Sequence, residues 1–153
     1  GLFDPVSPRD EIWEQVRDKA EEAANEEPIL SSFMYSSVLS HDSFDKALAF
    51  VLSNRLGCTT LLAPQLNSLF REVIAADDLI RISCRADIQA VKGRDPACKH
   101  CCQALLYFKG YQALQSYRIA NHLWKTGRTL MAYALQSRMS EVFSVDIHPA
   151  ATI

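Results

Sequence analysis

No stretch of this 153-residue chain approaches the roughly 18 consecutive apolar residues that a membrane-spanning helix needs, so no membrane partner is expected. The opening Gly1-Leu2-Phe3-Asp4-Pro5 lacks the charged-then-apolar layout of a secretory signal, and it lacks an initiator Met, as a processed or cloned boundary would. Neither sign of charge is in marked excess, and the net value of −2 gives no general pull toward nucleic acid or an anionic lipid surface. Cysteine lacks a framework pattern. Five of them, at positions 58, 84, 98, 101 and 102, are an odd number scattered through helix-forming sequence, which argues against a secreted disulfide scaffold and for a reducing compartment. There is no internal repeat, no low-complexity linker and no convincing strand before Phe143. What is present suffices for one helical domain: with 48% hydrophobic residues, a chain of this length buries roughly two thirds of its unfolded surface.

Caps and apolar periodicity mark the helices. Ser7-Pro8-Arg9-Asp10 supplies a hydroxyl N-cap, a proline at the first helical position and an acid that reaches back to the cap. Ile12, Trp13, Val16, Ala20 and Ala23 or Ala24 follow as a narrow apolar stripe, opposite a face with eight carboxylates between Asp10 and Glu27. Such a run is ordinarily a solvated face. Pro28 separates a second helix, Ile29 to about Leu39, whose apolar side is Leu30, Phe33, Met34 and Val38. Asp42-Ser43 cap a third, in which Phe44, Ala47, Leu48, Val51, Leu52 and Leu56 share a face and Gly57 is the stop. Pro64 begins a fourth, with Leu66, Leu69, Phe70, Val73 and Ile74 in the same pattern. Asp77-Asp78 precede a fifth, from Leu79 to Val91, ending near Gly93.

Pro96 pushes Asp95 out of helical geometry and so places its carboxylate on a loop. A nearly continuous apolar run from Leu105 to Trp124, interrupted only at Gly110, predicts a helix buried on several sides. Leu130, Met131, Ala134, Leu135 and Met139 form the last of about seven helices. Between Lys92 and Arg138 the charge reverses, with eight cations against Asp95 alone.

The last twelve residues, Val142 to Ile153, turn extended. Ile147 and Ile153 stand six apart across a turn containing Pro149, one period of the coil in which an aliphatic side chain points to the axis of a left-handed β-helix. One period cannot bury itself, so a chain stopping at Ile153 is expected to be part of a longer protein. Val145-Asp146-Ile147-His148-Pro149-Ala150-Ala151, with Ile153 two residues on, resembles the start of the β-helix of serine O-acetyltransferases. Upstream, Asp87-Ile88-Gln89-Ala90-Val91, Arg94-Asp95-Pro96-Ala97 and the run from Leu105 to Ile119 resemble the helical amino-terminal domain of that family. The likeness extends from about Ile12 to Ile153, with its motifs in the right order.

The resemblance implies an all-α fold of about seven helices over residues 1–141, leading at residues 142–153 into a left-handed parallel β-helix. It implies an enzyme that moves acetyl from acetyl-CoA to the hydroxyl of L-serine, giving O-acetylserine for cysteine biosynthesis. No bound cofactor is expected, acetyl-CoA being a substrate. A serine hydroxyl attacking a thioester needs a base to take its proton, and a histidine backed by a carboxylate is the usual device. By the resemblance Asp146 is that carboxylate, serving a histidine beyond Ile153, and Asp95 holds the ammonium group of the substrate. By chemistry alone, Asp146 is a turn former at a helix end and Asp95 an Asp-Pro turn capping the next segment.

The resemblance further implies a homo-oligomer, a trimer or a dimer of trimers, assembled through contacts of the helical domains; from the charge reversal, the acidic first helix and the basic second half are expected to face each other between subunits. It also implies a partner, O-acetylserine sulfhydrylase, bound through a carboxyl-terminal tail that ends in isoleucine; Ile153 fits the aliphatic slot of the coil better than such a tail. The competing class is a helical oligomerisation module without activity. The expected compartment is the cytoplasm, or an organelle if a transit peptide has been removed.

Cys98-Lys99-His100-Cys101-Cys102 has a thiol spacing that can share a tetrahedral zinc ion, but no second ligand pair exists, so no metal is expected. His148 lies beside the Asp146 motif, restricted by Pro149, and is not read as the base. His41, His100 and His122 read as ordinary surface or packing residues.

Overall fold

The computed structural model describes residues 9–153. Helix α1 (Glu11–Glu26) starts at Asp10, whose Oδ1 accepts the Trp13 N–H at 3.1 Å. The cap expected at Ser7 and Pro8 lies outside the described residues, and Asp10 itself fills the N-cap role, as its short acceptor side chain permits. Ile12, Trp13, Val16 and Ala20 are buried, while Glu11, Asp18, Glu21, Glu22, Glu26 and Glu27 are exposed.

The segment read as a single second helix changes its winding twice. A 3₁₀ turn (Pro28–Leu30), a short α2 (Ser31–Met34) and a π turn (Tyr35–Leu39) follow one another. Tightening and then widening the helix rotates residues off a 3.6-residue stripe. Met34 and Val38 therefore stay buried while Phe33 is 42% exposed and stacks on Tyr107 at 6.4 Å.

Helix α3 (Phe44–Leu56) is buried along most of its length. Ser43 caps it, accepting the Lys46 N–H at 3.3 Å, and all six residues of the expected stripe are buried together with Ala49 and Ser53. Helix α4 (Ala63–Ala76) packs extensively along it, with Leu66, Phe70 and Ile74 of α4 and Leu48, Leu52 and Leu56 of α3 fully buried. Each such side chain contributes about 1.5–3 kcal/mol through removal from water.

Helix α5 (Asp78–Arg94) is capped by Asp77, whose Oδ1 accepts the N–H groups of Leu79 and Ile80. It ends at Arg94, one residue past Gly93, near which its end is expected. Its C-cap is the extended Asp95, the residue before Pro96.

The Leu105–Trp124 run is two helices, α6 (Cys101–Tyr107) and α7 (Lys109–Lys125), and with α8 (Thr129–Phe143) the described residues hold eight α-helices, close to the about seven expected. The break falls at the extended Phe108, not at Gly110, which lies in the first turn of α7. It is stable there because two carbonyls of the last turn of α6 find donors elsewhere. Arg55 Nη2 donates to Leu106 O and Gln112 Nε2 to Leu105 O, each at 2.9 Å.

Helix α7 is buried on several sides, as its composition predicts, and several of its polar groups find donors or acceptors inside, although Gln112 Oε1 and Gln115 Oε1 are buried without a partner among the described residues. Tyr111 Oη donates to Cys84 O at 2.7 Å, and Gln115 Nε2 to Asp87 Oδ2 at 2.8 Å. Helix α8 folds back along α7, burying Ala132, Leu135, Met139 and Phe143.

Candidate functional site

The end of α8 aims the segment that carries Asp146. Ser144, at φ 59°, adopts the left-handed conformation that ends the helix, and the chain then turns back along the α7–α8 pair without regular secondary structure. Val145 and Ile147 pack against the hydrophobic core, whereas Ile153 is 69% exposed. Three polar ties hold the turn. Asn121 Nδ2 donates to Pro149 O at 2.8 Å, Tyr117 donates its hydroxyl to Ala151 O, and Ala151 N–H closes onto His148 O at 2.9 Å.

His148 is used in packing. Its Nδ1 accepts the Ala150 N–H at 3.0 Å, and its ring lies edge-on to Trp124 and Tyr133 at centroid separations of 4.9 and 5.6 Å. Asp146 itself is exposed, and its Oδ1 accepts from Gln136 Nε2 at 2.8 Å.

Asp95 lies elsewhere. It caps the end of α5, its Oδ1 accepts the Ala97 N–H at 2.9 Å and its carbonyl accepts the Cys98 N–H at 2.9 Å, which is the turn its chemistry alone foretold. It lines a groove of about 660 Å³ with Arg94, Tyr107, Lys109 and Tyr111 among its walls, and Asp87 at its side. Asp87 is engaged by Arg118 at 2.8 Å, leaving Asp95 as the carboxylate of the groove without a cation partner among the described residues. Asp146 does not line this groove.

Sequence reasoning missed a second cluster. Beneath Ala150–Ile153 lies a pocket of about 220 Å³ whose walls include Asp77, Tyr117, Asn121, His122 and Lys125. His122 Nδ1 stands 2.9 Å from Asp77 Oδ2. Burial pushes the Asp77 carboxyl up, but His122 and the N–H groups of Ile80 and Leu79 outweigh it and hold the group below its ordinary value. Read as a packing residue, His122 gave no sign of this partner, which lies 45 positions earlier.

The thiols near position 100 have separate partners: Cys98 Sγ donates to His100 O at 3.4 Å and Cys101 Sγ to Gln15 Oε1 at 3.7 Å. Among the described residues, no three His, Cys, Asp or Glu side chains converge in a way that would hold a metal ion.

Residues 12–116 match the family model described as serine acetyltransferase, N-terminal. The chain is 59% identical over 153 residues to probable serine acetyltransferase 2 of Oryza sativa subsp. japonica, and 56% identical over 158 residues to serine acetyltransferase 4 of Arabidopsis thaliana. These matches cover 100% and 99% of this chain but 43% and 44% of those proteins, so the chain spans less than half of their length. Among solved structures it is similar to soybean serine acetyltransferase complexed with serine, at 42% identity and a TM-score of 0.90, over 94% of this chain and 60% of that one. A serine acetyltransferase in complex with CoA is similar at 40% identity and a TM-score of 0.90, over 94% and 61% of the two chains.

Proposed function

The chain belongs to the serine acetyltransferase family, as its amino-terminal helical part, and from this premise we propose that the whole protein transfers an acetyl group from acetyl-CoA to the hydroxyl of L-serine. The observation that carries the reading is the identity of 56–59% that runs through essentially the whole chain, including the segment that holds Asp146. Serine and CoA, held by two structural relatives, are the acceptor and the donor's leaving group in that reaction.

In the proposed chemistry the serine oxygen attacks the thioester carbon, a histidine takes the hydroxyl proton, and the C–S bond breaks as CoA leaves and is protonated. The histidine is carried by a left-handed β-helix beyond Ile153, in which Ile147 and Ile153 occupy axis-facing slots. Asp146 accepts the other ring N–H of that histidine, fixing its tautomer and stabilising the imidazolium. Asp95 pairs with the substrate ammonium group; its unpaired carboxylate in an open groove suits that task. In this reading the protein is a homo-oligomer, a trimer or a dimer of trimers, and the serine site is shared between subunits. Acetyl-CoA is a substrate and no resident cofactor is invoked. In a cytoplasmic or organellar setting the product feeds cysteine biosynthesis, and O-acetylserine sulfhydrylase, which would consume it, is the partner expected for the full-length protein.

The alternative, a helical module that only assembles, draws on the fact that the chain spans under half of its relatives' length. Serine-dependent release of CoA from acetyl-CoA separates the two. The full-length protein is expected to turn over, the 153-residue chain alone is not, and Asp146→Asn in the full-length protein is expected to lower kcat on the order of a hundredfold or more. Turnover by the 153-residue chain, or an undiminished Asp146→Asn, would overturn this assignment of roles.

A further inference from the structure

We propose that Gln136 is the positioning residue of Asp146, fixing through one hydrogen bond which carboxylate oxygen is left to face the histidine. The inference rests on the role given to Asp146 above. An exposed aspartate on a segment without regular backbone pairing has two free torsions, and a carboxylate that rotates cannot hold an imidazole in one orientation. Among the described residues, the Gln136 amide is the one donor to this carboxylate, at 2.8 Å from Oδ1, and Oδ2 remains open.

Gln136 is well held for the task. On α8 it sits between the fully buried Leu135 and Met139, and Arg138 ties the same turn to the end of α3 by donating from Nε to Leu56 O at 2.7 Å. The left-handed Ser144 turns the chain back so that residue 146 comes within reach of a side chain ten positions earlier. The chemistry of the amide also matters. A lysine or arginine at position 136 would neutralise Asp146 and weaken its hold on an imidazolium, and a second carboxylate would repel it. A neutral donor orients the group and leaves its charge intact.

The test uses the full-length protein and follows CoA release with serine as acceptor. Gln136→Met keeps the length and helix preference of the side chain but deletes the donor. It is expected to lower kcat about tenfold, with KM for serine and acetyl-CoA within about twofold. It is also expected to move the acid limb of the pH–rate profile to lower pH, because a poorly oriented carboxylate stabilises the imidazolium less. Gln136→Glu, which keeps the shape and reverses the hydrogen-bond sign, is expected to lose at least as much and guards against a folding defect peculiar to Met. In an Asp146→Asn background, Gln136→Met is expected to cost less than about twofold, the carboxylate it serves being gone. Equal losses in both backgrounds, or an unmoved profile, overturn the role of Gln136 and leave Asp146 in place. An Asp146→Asn enzyme of full activity overturns both.

Discussion

His122 Nδ1 lies 2.9 Å from Asp77 Oδ2, so the cap of α5 is fastened to α7 by a side chain from another helix. The Asp77 carboxyl is thereby held below its ordinary value despite burial. A carboxylate with a depressed folded pKa stabilises the fold above its unfolded value of about 4 and loses that contribution as pH falls through the folded value. Asp77→Ala should cost about 0.5–2 kcal/mol at neutral pH, the range of a lost N-cap. The gap between variant and native protein should narrow in denaturant titrations below about pH 4. His122→Ala should raise the titration midpoint of Asp77 as followed by carboxyl NMR, and an unmoved midpoint would remove His122 from the account.

Gly57 is required for space rather than for backbone freedom. Its φ of −66° suits any residue, yet a Cβ there would lie 2.9 Å from Ala63 Cβ and 3.0 Å from Ser53 O, where the turn between α3 and α4 closes. Gly57→Ala is expected to destabilise by about 1–3 kcal/mol in urea unfolding, the usual cost of overpacking. The opposing tendency is the lower unfolded-state entropy of alanine, which by itself stabilises by about 0.4–1 kcal/mol. A variant as stable as the parent, or more so, would mean that the loop yields freely.

The cysteines differ in reactivity because their surroundings differ. Thr60 lowers the thiol pKa of Cys58 by a side-chain hydrogen bond, helped by backbone groups of Thr60 and Leu61, and Cys58 is only half-buried. Burial pushes Cys84 up to about 12 and Cys102 up to about 11. Since the thiolate is the nucleophile, iodoacetamide at about pH 8 should modify Cys58 first. Cys84 and Cys102 should react only on unfolding. Peptide mapping after timed alkylation checks the order, and labelling of Cys84 as fast as Cys58 would contradict it.

Local chemistry was legible in the sequence where it acts alone. The α3 stripe, the Ser43 cap, the boundary at Asp77-Asp78 and the loop position of Asp95 all follow from spacing, side-chain acceptors or proline sterics, and all are found. What stayed hidden depends on partners distant in sequence. The break at Phe108 needs Arg55, 51 residues upstream, to take the Leu106 carbonyl. The changes of winding around α2 moved Phe33 off the stripe that its spacing assigned to it. For Asp146 the motif placed the carboxylate, but the amide that holds it comes from α8, across a turn whose left-handed Ser144 has no glycine to announce it.

The docking of the last segment can be separated from the stability of the helices. Tyr117 and Asn121, both on α7, donate to the carbonyls of Ala151 and Pro149, and Tyr117 is nearly buried, so Tyr117→Phe removes a hydroxyl without opening a cavity. Each lost hydrogen bond is worth about 0.5–1.5 kcal/mol, which in local opening is roughly a three- to tenfold change. Tyr117→Phe combined with Asn121→Ala should therefore speed hydrogen exchange at the Ala151 N–H, which reports the turn closed onto His148 O, by about one to two orders of magnitude. Amides in α3 should be slowed or hastened little, because their protection tracks global unfolding. Unchanged protection of Ala151 would show that Val145, Ile147 and the Trp124–Tyr133–His148 cluster hold the segment without help from α7's polar groups.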